Sequence, residues 1–362
     1  MILRRTLIAL AATTLTPGLA VAVAGGPAQA AVPNQWAFAY MNNPVPPMGM
    51  LMDITRQWKS DNIPNSTVDP LVLGRYRLKF PGIASGNGVA HVSAVAPDAR
   101  WCNVFTKYNV GIDLFIEVQC WQHTGMITPA PSAFTIVYST SSGALAGAGT
   151  YAYVRGNLLG GVSASYNPAG MANTSTHAGA GTGTYTVFLP GVSTGFNDGN
   201  IQVSAEHPNS PRRCKVIGWT PAAGGHTIVV RCLDEMSVPA DSWFNLTYHR
   251  DRSIYGALAP PNYFGYFWTP GLPAGTSNFN STGAMNTMAV AGVGLKYVQF
   301  PSVGVSEGNI QITAYQGGAS YCNLQNVWGL TGTTVTVNNV ICFNAGGAPA
   351  ASNFFITYSS RT

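Results

Sequence analysis

The chain has 362 residues, of which only 9% carry a charge, and its formal net charge at pH 7 is +5. Because 41 Gly and 24 Pro interrupt the sequence throughout, a helical bundle and a coiled coil are excluded. An aromatic content of 11% with a small net charge excludes a disordered chain, and no motif supports nucleic-acid binding.

Residues 1–30 are predicted to form a secretory signal peptide. Arg4 and Arg5 precede an apolar stretch over residues 7–23, and the small-residue site Ala28-Gln29-Ala30 places the mature start at Ala31. The paired arginines leave both Sec and Tat export open. No later segment is apolar for long enough to span a membrane. We therefore expect a secreted, extracellular protein.

The rest of the chain contains a repeat of about 110 residues. One motif, a strand that ends in Pro-Gly or Pro-Ser, recurs with its last apolar residue at Phe80, Leu189 and Phe300, which are 109 and 111 residues apart. A second motif recurs as GVAHVSA, GNIQVSA and GNIQITA, and each copy closes on a Phe-x-x-x-Tyr strand. Three copies fill the mature chain, with boundaries predicted at residues 31–142, 143–255 and 256–362.

Within a copy the apolar residues alternate with polar ones. Tyr185, Val187 and Leu189 alternate with threonines, and Ile201 and Val203 alternate with polar residues in the next segment. A period of two indicates strands with one buried face. Six or seven such strands per copy predict an all-β protein of three tandem antiparallel β-sandwich-like modules.

Each copy carries two cysteines, at equivalent places on adjacent predicted strands. Six cysteines allow 15 pairings, but the repeat selects one intra-module disulfide each, which an exported chain would form in an oxidising environment. No Cys-x-x-Cys spacing indicates a metal site, and no cofactor is expected. The predicted disulfides are Cys102–Cys120, Cys214–Cys232 and Cys322–Cys342.

Comparison between copies weakens each catalytic candidate. Gly191-Val192-Ser193-Thr194-Gly195 fits a nucleophile elbow, but another strand follows it, so we expect a turn. His91 aligns with Gln202 and Gln311 on the presumed outer face of a strand and is expected to be solvated or hydrogen-bonded. The carboxylates fall at unrelated repeat positions, so no catalytic residue is assigned.

A basic stripe lies on one strand of the first copy. Arg75, Arg77 and Lys79 project from the same face, and the other copies carry neutral residues there. A solvated face is the favoured interpretation, and a site for an acidic wall polymer is the alternative.

The first strand of each copy carries aromatic residues that alternate with smaller ones. Rings on one strand face could form a flat platform that stacks on sugar rings or peptide. The favoured interpretation, however, is that the rings form the core and the small residues face outward. The candidate ligand-binding residues are Trp36, Phe38, Tyr40, Tyr151, Tyr153, Phe264, Tyr266 and Trp268.

The repeated motifs, paired cysteines and Phe-x-x-x-Tyr endings resemble uncharacterised secreted repeat proteins of actinobacteria and myxobacteria. The resemblance covers essentially the whole mature chain and supplies no catalytic residue to carry over.

We therefore expect a secreted non-enzymatic repeat protein that binds an extracellular glycan or protein surface through several similar weak sites. A structural matrix or coat component is one alternative, and an extracellular polymer hydrolase with a site between modules is another. The ligand and the oligomeric state stay open.

Overall fold

The computed structural model describes residues 35–85, 87–222, 224–258, 262–269 and 278–361. These residues belong to one compact unit and contain strands but no helix, so the all-β prediction is confirmed. The predicted signal peptide lies outside the described residues.

Module 1 contributes ten strands among its described residues, three of which are only two or three residues long. They are β1 (Gln35–Met41), β2 (Met50–Leu51), β3 (Trp58–Lys59), β4 (Thr67–Val72), β5 (Arg75–Phe80), β6 (Val89–Val95), β7 (Arg100–Val110), β8 (Asp113–His123), β9 (Ile127–Pro129) and β10 (Ala133–Thr140).

Module 2 contributes eight strands and module 3 nine, again counted over the described residues. Those of module 2 are β11 (Thr150–Gly156), β12 (Val162–Tyr166), β13 (Thr174–His177), β14 (Thr184–Pro190), β15 (Asn200–Glu206), β16 (Arg213–Ala222), β17 (Gly225–Leu233) and β18 (Trp243–Arg250). Those of module 3 are β19 (Phe264–Trp268), β20 (Asn278–Asn280), β21 (Thr287–Gly292), β22 (Leu295–Phe300), β23 (Gly308–Tyr315), β24 (Tyr321–Leu324), β25 (Gly329–Thr331), β26 (Thr334–Phe343) and β27 (Asn353–Ser360).

Each of the three large sheets combines strands from two modules. The first runs β21-β22-β26-β24-β6-β10-β1-β3, the second β12-β11-β18-β15-β7-β8-β5-β4-β2, and the third β13-β14-β17-β16-β23-β27-β19-β20. Within a module all pairs are antiparallel, and each module boundary is crossed by one parallel pair. These pairs are Leu324 with Val95, Glu206 with Val104, and Val216 with Tyr315.

The three parallel pairs link modules 1 and 3, modules 1 and 2, and modules 2 and 3, so the modules close into a ring with pseudo-threefold symmetry. Each module keeps an apolar core between its two half-sheets, as a sandwich requires. The cores nevertheless extend across the boundaries, because Tyr40 of module 1 joins the module 3 cluster and Phe355 of module 3 joins that of module 2. The module boundaries proposed from the sequence stay a prediction.

The three predicted disulfides are confirmed. Each pair sits on directly opposed residues of neighbouring antiparallel strands, with a Cα–Cα distance of 4.0 Å. The bridges staple β7 to β8, β16 to β17 and β24 to β26. Because the two strands of each pair already lie side by side, the disulfide reinforces a hairpin rather than joining distant elements.

The alternating sequence pattern correctly predicts which face of each strand is buried. It predicts the solvent exposure of the opposite face only in part. In β14 the burial alternates as expected, with Tyr185, Val187 and Leu189 inside. In β6, β15 and β23 nearly every residue is buried, including the polar ones. The outer faces of these three central strands are turned toward one another where the modules meet, so they are not solvent-exposed.

Candidate functional site

The aromatic first strands point their rings away from their own module core. Ala37 and Ala39 lie in the core of module 1, and Ala152 and Val154 lie in that of module 2. The alternating rings therefore occupy the outer face, as the platform hypothesis requires. What covers that face decides whether a platform exists.

In module 1 the rings are covered by other parts of the chain. Phe38 is fully buried, and Trp36 stacks on Tyr255 with ring centroids 4.1 Å apart. Tyr255 belongs to the segment that connects modules 2 and 3. Tyr40 contacts Trp328 of module 3 at 5.7 Å between centroids.

Modules 2 and 3 repeat this arrangement. Tyr151 and Tyr153 are fully buried, and Tyr151 donates a hydrogen bond of 2.6 Å to Ser139 Oγ in module 1. Tyr266 accepts a hydrogen bond from Asp251 N, Phe264 is fully buried, and the partly buried Trp268 lies 5.5 Å from Trp219 of module 2. An exposed platform is therefore absent at these positions, because the outer aromatic faces form the seams between modules.

His91 is also part of a seam rather than of a solvated surface. It is 2% exposed, and its Nε2 lies 2.8 Å from Thr247 Oγ1 of module 2. Burial, with smaller effects from His249 and Lys107, lowers its pKa to about 3. His91 is therefore neutral and structural at neutral pH.

Two further candidates have structural explanations. The segment 191–195 forms a turn, as expected, and Thr194 donates a hydrogen bond to Asp198. The basic stripe is paired with acids of β8: Arg75 and Arg77 with Glu117, and Lys79 with Asp113 at 2.8 Å. These charges satisfy one another on a partly exposed sheet face, in keeping with the solvated interpretation.

A groove of ≈ 540 Å³ lies between modules 1 and 2, with part of the segment that connects them as one wall. We call it the connector groove. Hydroxyl and amide side chains line most of it, together with one tyrosine ring and one methionine. The lining residues are Ser85, Asn87, Thr140, Ser141, Ser142, Gly143, Ala144, Ser165, Tyr166, Asn167, Pro168, Gly170 and Met171.

Hydrogen bonds across the groove hold its walls in place. The Tyr166 hydroxyl donates to Gly143 O at 2.6 Å, which ties the connector to module 2. Asn167 Nδ2 donates to Asn173 Oδ1 at 2.7 Å and to Pro190 O at 2.8 Å, and its Oδ1 accepts from Ala169 N, so the 167–170 turn is rigid. The side chains of Ser142, Ser165 and Met171 are exposed at the surface.

The lining of the connector groove determines what it can do chemically. It contains no acidic, basic or histidine side chain, so it offers neither a general acid–base pair nor a counter-charge for an ion. It brings seven hydroxyl and amide side chains around one aromatic ring, and among them the Asn167 amide and the Ser85 and Thr140 hydroxyls already bond to other groups of the protein. Such a surface suits a neutral, hydroxyl-rich ligand.

No single sequence motif marks this groove. Its residues come from three stretches of the chain, 85–87, 140–144 and 165–171, and none is a conspicuous residue type. The one sequence feature that could have indicated the groove is the Ser- and Gly-rich connector, because a segment between two modules borders both of them.

A metal-binding cluster and a membrane-spanning helix are both absent from the described ranges. In them, no three His, Cys, Asp or Glu side chains come together in a way that could hold a metal ion. The same ranges contain no helix with the length and apolar character needed to cross a membrane.

No protein-family model, curated protein or solved structure matches this chain.

Proposed function

We propose that this chain is a secreted, non-enzymatic protein that binds a neutral glycan in the connector groove. The carrying observation is the groove lining, which combines seven hydroxyl and amide side chains with the Tyr166 ring and no ionisable acid or base. Pockets that recognise ligand hydroxyls need converging neutral donors and acceptors, and an amphipathic ring adds contact area at low entropic cost.

The absence of catalytic groups from the large cavities supports a binding role. Three cavities of the described chain, the connector groove among them, have no Asp, Glu or His in their linings. A glycosidase needs a pair of carboxyl groups on either side of the scissile bond. A hydrolase with an inter-module site is therefore disfavoured at each of these cavities.

Export supports the proposal from a different direction. The three disulfides fit an oxidising compartment, and residues 1–30 carry the pattern of a signal peptide. The modules form one ring, and their aromatic faces are buried in the seams. The proposed binding site is therefore the connector groove alone rather than three repeated weak sites.

A glycan array with the mature protein and two variants tests the proposal. Ser165→Trp places a large ring in the groove, whereas Ser163→Trp makes the same change two residues earlier on the same face of β12, outside the lining. Both serines are exposed, so both variants are expected to fold. We expect the parent to bind neutral glycans, Ser163→Trp to bind equally, and Ser165→Trp to bind at least about tenfold more weakly.

Unchanged binding by Ser165→Trp would remove the groove from the proposal. If the parent binds no glycan, the glycan-binding function is wrong, and the structural coat or matrix role becomes the better interpretation.

A further inference from the structure

A second cavity, of ≈ 60 Å³, lies where all three modules meet, and we call it the axial cavity. It shares no lining residue with the connector groove. Each module supplies the same kinds of residue to most of the cavity wall, at equivalent positions of the repeat. The equivalent sets are Val92, Val203 and Ile312; Ser93, Ser204 and Thr313; Ala94, Ala205 and Ala314; and Cys102, Cys214 and Cys322.

The three hydroxyls form a cyclic set of contacts between modules. Ser204 Oγ accepts from Val92 N at 3.1 Å, Thr313 Oγ1 accepts from Val203 N at 2.8 Å, and Ser93 Oγ accepts from Ile312 N at 3.0 Å. This cycle places the axis of the ring at the cavity and holds its polar floor rigid.

At two positions of the wall, module 2 supplies a cation where the other two modules carry neutral residues. Arg213 occupies the position of Trp101 and Tyr321, directly before the first cysteine of each module. Lys215 follows that cysteine where modules 1 and 3 carry Asn103 and Asn323. Because two modules fold with neutral residues at these positions, the architecture itself does not require the charges.

Arg213 is buried without an ion-pair partner. Its side chain is packed between two rings, with the guanidinium carbon 4.6 Å from the centre of Trp101 and 4.2 Å from that of Tyr321. The residue is 7% exposed, and Nη2 donates to Ser237 Oγ at 2.5 Å. Nε and Nη1 have no hydrogen bond of normal geometry among the described protein atoms, although the Tyr321 hydroxyl interacts with the guanidinium.

Lys215 is a second buried cation in the wall of the axial cavity. It is 2% exposed, and its Nζ donates to Ser320 Oγ at 2.7 Å and lies 3.5 Å from Gly317 O. Burial and the positive charges of Arg213 and Arg231 lower its pKa to about 8. Lys215 therefore faces other cations, and no carboxylate forms an ion pair with it within the described residues.

The charge balance of the axial cavity is therefore strongly positive. Arg212 also lines it, but that residue is paired with Glu235 at 3.4 Å, and no carboxylate lines the wall. Asp234 acts on Arg213 only through space. Buried charges without a partner are costly, and an anion would offset that cost.

We propose that the axial cavity binds a small oxyanion, such as sulfate, phosphate or a carboxylate group, which Arg213 and Lys215 hold. The guanidinium and the ammonium provide charge-assisted donors for oxygen acceptors. The volume exceeds the roughly 10–15 Å³ that one water needs, but it is too small for a whole sugar ring. The ligand is thus a free ion or a single anionic group on a larger molecule.

Isothermal titration calorimetry of the mature full-length chain tests this proposal. The probes are sodium sulfate, sodium phosphate, sodium acetate and galactose 6-sulfate, each at constant ionic strength in sodium chloride. Arg213→Tyr and Lys215→Asn introduce the residue types that module 3 carries at these positions. Lys79→Gln removes the same charge from a 40% exposed side chain elsewhere and serves as the control.

We expect at least one of these probes to bind at one site per chain. Binding should weaken at least about tenfold in Arg213→Tyr and in Lys215→Asn and stay unchanged in Lys79→Gln. Binding by the inorganic ions alone identifies a free ion as the ligand, and additional binding by galactose 6-sulfate identifies a group on a larger molecule. Either result supports the site.

A parent protein that shows no saturable binding with any probe would overturn the proposal, as would undiminished binding in both cavity variants. Amide chemical-shift mapping on the parent gives a readout that does not depend on variant folding. Shifts on sulfate addition should centre on Val92, Val203 and Ile312, and shifts confined to other regions would contradict the site. Failure here leaves the glycan proposal untouched, because the two sites are separate.

Discussion

One repeat position shows how a single residue adapts to the centre of the ring. Gln202 and Gln311 donate to Asn200 Oδ1 at 2.8 Å and to Asn309 Oδ1 at 3.0 Å, while module 1 carries His91 at this place. All three side chains are buried. A glutamine stays neutral at every pH, whereas a buried histidine is neutral only until protonation becomes favourable.

Replacing His91 by the residue of the other modules is therefore expected to reduce acid sensitivity. The pKa of His91 is lowered from 6.5 to about 3, so below pH 6.5 the unfolded chain binds a proton that the folded chain does not. His91 therefore does not lower the free energy of unfolding above pH 6.5. It lowers that free energy progressively as the pH falls from 6.5 toward 3. We expect the parent to lose roughly 2–3 kcal/mol more than His91→Gln between pH 7 and 4.5.

Denaturant unfolding at the two pH values measures this difference. His123→Gln makes the same chemical change at a partly exposed histidine and serves as the matched control variant. Equal losses in the parent and in His91→Gln would show that His91 does not drive the acid response.

At the scale of elements, the three seams solve the same packing problem with different chemistry. Between modules 2 and 3, Trp268 packs against Trp219, with ring centroids 5.5 Å apart. Between modules 3 and 1, Trp328 packs on Tyr40. These two seams are apolar and aromatic.

The seam between modules 1 and 2 adds an ionic cluster to the buried Tyr151 and Tyr153, and we call it the ionic seam. Glu206 of β15 accepts from Lys107 at 2.9 Å and from Arg155 at 2.9 Å, and Asn245 donates to the same carboxylate at 3.0 Å. Burial alone would raise the pKa of Glu206, but the two cations bring it down to about 2. The carboxylate is thus charged at neutral pH and pairs with both the buried Lys107 and the partly exposed Arg155.

Removing that carboxylate is expected to destabilise the whole chain. Glu206→Gln leaves the buried Lys107 ammonium and the partly exposed Arg155 guanidinium without their carboxylate partner, which costs about 3–5 kcal/mol of the free energy of unfolding. Glu235→Gln changes a glutamate whose side chain is 44% exposed and should cost less than about 0.5 kcal/mol. Chemical denaturation at pH 7 compares the two, and a similar small effect of both would contradict a structural role for the ionic seam.

For the whole molecule, the sheets that cross the module boundaries determine how it unfolds. A module removed from the ring would expose its aromatic outer face and leave polar groups of its central strand without partners. The three modules therefore depend on one another for burial, although each has its own core and disulfide.

We expect the described unit to unfold as one cooperative body. Differential scanning calorimetry of the mature protein should show a single transition whose calorimetric and van't Hoff enthalpies agree. Three resolved transitions, or a van't Hoff enthalpy near one third of the calorimetric value, would mean that the seams contribute little and the modules behave as tethered domains.

The sequence by itself determined the features that depend on neighbouring strands. The alternation in β14, the pairing of Cys214 with Cys232 and the turn at residues 191–195 follow from local contacts, so three similar copies had to repeat them. Repetition also contained a signal that went unused, since Arg213 and Lys215 stand where the other copies carry neutral residues.

Only the tertiary structure decided what covers the second face of each strand. An alternating pattern separates two faces, but it does not say whether the outer one meets water or another module. That is why Gln202, which lies on a predicted outer face, is buried in a seam. The connector groove and the axial cavity exist for the same reason: their walls come from different modules, and only closure of the ring brings those walls together.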